Sequence, residues 1–151
     1  AFTLECDNLS WKGTKIKVVT GKGLPAKYCA SEVLFENGLR LLFRHYPNEG
    51  IILGGVPVKE PSLSGSSLVP VQMEFTYESA FKDMVNTPAY LRLLYHILNG
   101  DNSSFAGPVE ALEALRIADE LEGSNHDFVK YPVGSYPVAA KDWLPSELHW
   151  V

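Results

Sequence analysis

The stretch SEVLFENGLRLLFRHYP, residues 31–47, decides the fold. Two apolar runs flank Asn37-Gly38, and a type I′ turn asks for positive φ at both central residues, which Asn and Gly supply best. The sequence therefore predicts a hairpin with strands near 28–36 and 39–46. A two-residue loop pairs Glu36 with Leu39, Leu34 with Leu41, Glu32 with Phe43 and Ala30 with His45. One face then carries Leu34, Leu39, Leu41 and Phe43, with Glu32 and His45 beside them. The other carries Val33, Phe35 and Leu42 with Ser31, Arg40, Arg44 and Tyr46. Both faces are apolar enough to call for a cover.

Upstream, Phe2, Leu4 and Cys6 alternate with Thr3, Glu5 and Asp7, the period of a half-buried strand. A tight connection at Ser10–Gly13 leads to a second alternation around Ile16 and Val18, and GKGLP (21–25) is a loop. Downstream, GIILGGVPV reads as a strand that ends before Pro57, and EPSLSGSSLVP (60–70) as a linker. The period then changes to helical. One helix is expected over 76–86. A second runs from AYLRLLYHILNG, with Thr87 as N-cap, Pro88 at N1 and Gly100 closing it. A third, GPVEALEALRIADELEG, has Pro108 at N1 and Gly123 as its stop. Residues 124–151, with Trp143 and Trp150, read as an extended tail that wraps something. Strands first and helices second make one α+β domain over 1–151: an open, mainly antiparallel sheet with two to three helices packed on one face.

Composition narrows the function. Of 151 residues, 46% are hydrophobic and 21% charged, an ordinary globular mixture. A net charge of −5 argues against nucleic acid, and lysines 12, 15, 17, 22 and 27 read as a solvated edge. No apolar run is long enough for a membrane span, and no secretory signal opens the chain. Ala1 would follow an initiator Met, which points to a complete small protein. Cys6 and Cys29 read as two buried thiols in a reducing, cytoplasmic setting, where the sequons at Asn8 and Asn102 stay silent.

VLFENGLRLLF resembles the strand–F-E-N-G–strand hairpin in the C-terminal domain of the Gfo/Idh/MocA oxidoreductases. AYLRLLYHILNGDNSSFAGPVEALEALRIADELEGS is similar to the helix–turn–helix that ends that domain. The pieces keep their order from Glu32 to Ser124. The resemblance implies the fold of a substrate-side domain, whose exposed sheet face commonly makes subunit contacts. It does not extend to cofactor chemistry. Gly21-Lys22-Gly23 lacks the third glycine of a dinucleotide fingerprint and opens no helix. Lys59-Glu60-Pro61 has the residues of the family's catalytic E-K-P in another order and place. No cofactor site is expected, and this chain alone is not expected to be a dehydrogenase.

The candidate catalytic residues are His45, Glu32, Arg44 and Tyr46. In the expected register Glu32 and His45 are diagonal neighbours, either a carboxylate-oriented general base or an inert strand-end pair. Arg44 and Tyr46 either polarise a carbonyl or cap a solvated strand end. Trp11, Tyr28, Phe43, Tyr77 and Trp143 are candidates to bind an apolar substrate. No metal-ligand spacing occurs. Two readings follow. The first is a cofactor-free enzyme of secondary metabolism acting on a hydrophobic molecule: a cyclase (a pericyclic, Diels–Alder closure included), an isomerase or a dehydratase working by orientation. The second is a binding or oligomerisation module, or a fragment of an NAD(P)-dependent oxidoreductase. A ligand carrier without turnover is a third. A homo-oligomer formed through a sheet face is expected in either of the first two.

Overall fold

The computed structural model describes residues 1–62, 65, 67–83, 87–124, 129–138, 140 and 144. The chain forms two compact units, Ala1–Lys82 with Val129–Val151, and Asp83–Phe128. Strands β1 (Phe2–Glu5) and β2 (Lys15–Val18) make a two-stranded antiparallel ribbon. Strands β3 (Cys29–Leu34), β4 (Arg40–Tyr46), β5 (Gly50–Lys59) and β6 (Leu68–Thr76) make a four-stranded antiparallel sheet in that order. Helices α1 (Tyr77–Ala80), α2 (Ala89–Leu98) and α3 (Pro108–Gly123) complete an α+β protein, the class the sequence predicts.

The hairpin forms, but with a different turn. Gly38 N donates to Phe35 O at 3.0 Å and Phe35 N to Leu39 O at 2.9 Å, so three residues, not two, make the loop. Gly38 has φ +86, whereas Asn37 is not in the left-handed region. Its side chain instead accepts from Leu39 N at 3.1 Å. This is a type I turn followed by a left-handed glycine, the usual three-residue alternative. The extra residue moves the register by one: Leu34 pairs with Arg40, Val33 with Leu41, Glu32 with Leu42 and Ser31 with Phe43. Because side chains alternate, a slip of one sends every residue of β4 to the face opposite the expected one.

The consequence runs across the sheet. Glu32, Leu42, Ile52 and Glu74 share one row, and Leu42 and Ile52 are buried at its centre. The other face carries Val33, Leu41, Phe43, Ile51, Leu53, Met73 and Phe75 in adjacent rows, and Val33, Ile51, Met73 and Phe75 are exposed. Strand β5 continues through Pro57, past the expected end. Beyond Gly54 it has left β4 and pairs only with β6, so Pro57 lies at a free edge that needs no donated hydrogen bond. The linker is correspondingly shorter, and β6 occupies residues the sequence reading left outside any strand. A bulge between Leu53 and Val56 turns the strand at Gly55, φ +76.

The helices are mostly as expected. Helix α1 is a single turn rather than a run over 76–86: Thr76 Oγ1 accepts from Ser79 N at 3.2 Å, and Phe81 already leaves the helix. Residues 84–86 of the expected helix lie outside those described. In α2 the N-cap is Pro88 itself, not Thr87, with no side-chain cap. Gly100, φ +69, follows the C-cap Asn99. Beyond it, His96 Nδ1 lies 3.2 Å from both Asp101 Oδ2 and Ser104 Oγ, so His96 ties down the turn after α2. Hydrogen bonds from Ser103, its backbone amide first, hold the Asp101 carboxyl below its ordinary range, with nearby His96 adding to the effect. In α3 the Glu110 carboxylate accepts from Gly107 N at 3.0 Å, and the helix runs through Gly123 to a Ser124 cap. No described helix is long and apolar enough to cross a membrane.

Candidate functional site

The chain from Val19 to Ala30, running from the end of the ribbon into the start of β3, forms one wall of a pocket of about 450 Å³. Tyr136 and Leu144 from the tail are its other described lining residues. A volume of this size suits a small metabolite. Glycine makes the wall possible. Gly23 has φ +64, and a Cβ on Gly21 would come within 2.9 Å of the Tyr131 hydroxyl. The described part of the tail contacts this loop: Tyr131 Oη donates to Lys22 O at 2.7 Å and Gly134 N to Gly23 O at 2.7 Å.

The pocket's polarity opposes that of the whole chain. The described residues lining it include Lys22 and Lys27 and no carboxylate, although the protein carries net charge −5. Lys27 Nζ sits 4.6 Å above the Tyr46 ring centroid, which braces the ammonium by a cation–π contact. Two cations with no carboxylate among the described lining residues make a positive patch that favours an anion. Tyr28 contributes an aromatic wall, and the exposed Cys29 thiol lines the same space. Among the described residues no His, Cys, Asp and Glu cluster that could hold a metal ion occurs. Among its described lining residues there is no carboxylate or imidazole to form an acid–base pair.

The candidate catalytic residues are dispersed. Glu32 and His45 do not meet: Glu32 shares the Leu42 face, and His45 Nε2 instead lies 3.2 Å from Ser31 Oγ. Arg44 donates from Nε to Asn48 O at 2.7 Å and from Nη2 to Glu74 at 2.8 Å, a clamp across the sheet. Tyr46 touches the site through Lys27. Of the substrate-binding candidates, Tyr28 lines the pocket. Phe43 lies on the exposed sheet face, Tyr77 stacks edge-on against Phe75 at 5.4 Å, and Trp11 stands half-exposed in the turn of the ribbon. Trp143 lies outside the described residues. The thiols are not buried: Cys6 is half-buried and Cys29 exposed. Lys22, Lys27 and Tyr136 line the pocket but are not among the sequence-predicted site residues. The signal for the lysines is their place in GKGLPAKY, two cations in a short loop that also holds Gly21, Gly23 and Pro25.

Comparison with known proteins supplies the family. A family model described as glucose-6-phosphate dehydrogenase, C-terminal domain, matches residues 1–150. The chain is similar to glucose-6-phosphate 1-dehydrogenase of Schizosaccharomyces pombe, 30% identical over 149 residues, covering 90% of this chain and 31% of that protein. It is also similar to glucose-6-phosphate 1-dehydrogenase of Treponema pallidum, 32% identical over 164 residues, covering 93% of this chain and 31% of that protein. The chain thus spans about a third of the length of these relatives. These findings overturn the reading as a cofactor-free cyclase, isomerase, dehydratase or Diels–Alder catalyst, and the expectation that this chain alone is not a dehydrogenase gives way to a dehydrogenase C-terminal domain. They favour the alternative, part of a dehydrogenase. The likeness to an oxidoreductase C-terminal domain holds in that general sense, while the Gfo/Idh/MocA family is not the one they name. The chain belongs to the family of glucose-6-phosphate dehydrogenase C-terminal domains.

Proposed function

We propose that residues 1–151 act as one C-terminal, substrate-side domain of a glucose-6-phosphate dehydrogenase, and that Lys22 and Lys27 receive the phosphate of the sugar. The match of residues 1–150 to the family carries this reading. Support comes from the pocket: a hexose phosphate needs a small cavity with cations at one end, and the 19–30 wall offers both. Lysine meets phosphate as a compact point charge, and the glycines beside Lys22 let the chain approach closely.

A dehydrogenase also needs a nicotinamide dinucleotide as hydride acceptor. Gly21-Lys22-Gly23 does not fit one, because it leads toward strand β3 and not into a helix whose N-terminus could take a pyrophosphate. On this reading the chain binds and orients the sugar phosphate, and hydride transfer is completed by other parts of the enzyme. The working compartment is the cytoplasm, in keeping with the free thiols of Cys6 and Cys29. The gene product that carries this chain should reduce a nicotinamide dinucleotide with glucose 6-phosphate, with kcat/KM at least about a hundredfold above that for glucose. Equal turnover of the two sugars contradicts the phosphate pocket, and no turnover of either contradicts the dehydrogenase.

The exposed sheet face is the proposed contact for a second copy of this chain. Ile51, Phe43, Met73 and Phe75 form an apolar plane that a two-fold axis can pack against itself, and a stable pair buries at least ~1,000 Å². In light scattering, Ile51→Glu at the centre of that plane should halve the mass of the assembly. An unchanged mass places the interface elsewhere.

A further inference from the structure

The backbone that carries Lys22 is held by a segment 109 residues away. Lys22 O accepts from the Tyr131 phenol at 2.7 Å, and Gly23 O accepts from Gly134 N at 2.7 Å. The holding segment is itself a formed turn. Ser135 N and Ser135 Oγ both donate to Pro132 O, at 3.1 and 2.7 Å, and Gly134 takes φ +82. Lys22 in turn has a glycine on either side, so its own local chain does little to fix where its Cα points. Contact with the tail limits Gly21, whereas Gly23 is held to glycine by its φ of +64 rather than by lack of space. A Cβ on Gly21 would press on Tyr131 Oη at 2.9 Å, and one on Gly23 would meet Val133 at 3.5 Å.

We infer that Tyr131 is a positioning residue for Lys22: the tail clamps the glycine loop so that the ammonium is presented to the anionic group of the ligand. This rests on the reading of Lys22 as a phosphate-binding residue. A lysine Nζ stands at the end of four rotatable bonds, so a small displacement of its Cα spreads the positions it samples. The clamp confines the base of that stem, which lowers the cost of ordering it on binding.

The test uses the complete dehydrogenase and reads KM and kcat separately. Tyr131→Phe removes one hydroxyl and keeps the ring. The expected result is a KM for glucose 6-phosphate raised about three- to tenfold, the scale of one hydrogen bond, with kcat within about twofold and KM for unphosphorylated glucose unmoved. Gly21→Ala, which pushes the phenol off Lys22 O, should raise KM by a similar factor. The double variant should be no worse than Tyr131→Phe alone, because the hydroxyl that the new Cβ displaces is already gone. Additive effects overturn the clamp, as does a fall in kcat with KM unchanged. Lys22→Ala separates the two failures. If it leaves KM alone, the phosphate reading falls. If it raises KM while Tyr131→Phe and Gly21→Ala do not, the phosphate reading stands and the clamp falls.

Discussion

On the proposed reading, Lys22→Ala in the complete dehydrogenase should raise the KM for glucose 6-phosphate by roughly ten- to a hundredfold. The estimate is that of a hydrogen bond to a charged group, about 1.5–3 kcal/mol, with roughly 1.4 kcal/mol to each factor of ten. Lys22 is exposed on the pocket wall, so mobile ions screen it, and the lower end of the range applies at high salt. A tenfold rise in ionic strength should therefore narrow the gap between variant and parent. Lys27→Ala should act in the same direction with a smaller salt effect, since its ammonium also rests on the Tyr46 ring. Steady-state kinetics over a range of salt checks both. A KM that ignores both substitutions removes the cationic end from the site.

Gly55→Ala should damage the sheet strongly. At φ +76 an alanine there is strained, and its Cβ would lie 2.5 Å from Gly38 O, a backbone atom of the hairpin turn. Strain of about 1–2 kcal/mol adds to the cost of separating the β5 bulge from that turn. A total of about 2–4 kcal/mol lowers the thermal midpoint by roughly 5–15 °C in a chain of this length. Gly100→Ala is the internal comparison. It has φ +69 but nothing within 4 Å of a new Cβ, so only the conformational cost remains, about 1 kcal/mol. Melting curves for the pair read the difference. Equal midpoints would mean that turn and bulge do not press on each other.

What could be read in the sequence, and what could not, divides along one line. Local signals came through. Pro108 and Gly100 marked helix ends because the conformations they favour are set within a few residues. The FENG hairpin was legible as a hairpin, but Asn-Gly serves two turn types that differ by one residue, and nothing local chooses between them. That one residue moved Glu32 to the Leu42 face and left His45 with Ser31, so the proposed acid–base pair dissolved with the register. Pro57 and Pro70 face each other across β5 and β6; each looks like a strand breaker until the free edge is known. The pocket was the least legible. Its lysines read as a solvated edge because the contact that holds the Lys22 backbone, from Tyr131, joins residues too distant for any pattern to link.

The most direct measurement is a crystal structure of the complete dehydrogenase with glucose 6-phosphate bound. The phosphate should lie in the 19–30 pocket, within about 3 Å of the Lys22 ammonium, with Tyr131 still bonded to the Lys22 carbonyl. A sugar phosphate seated away from both Lys22 and Lys27 would contradict the account.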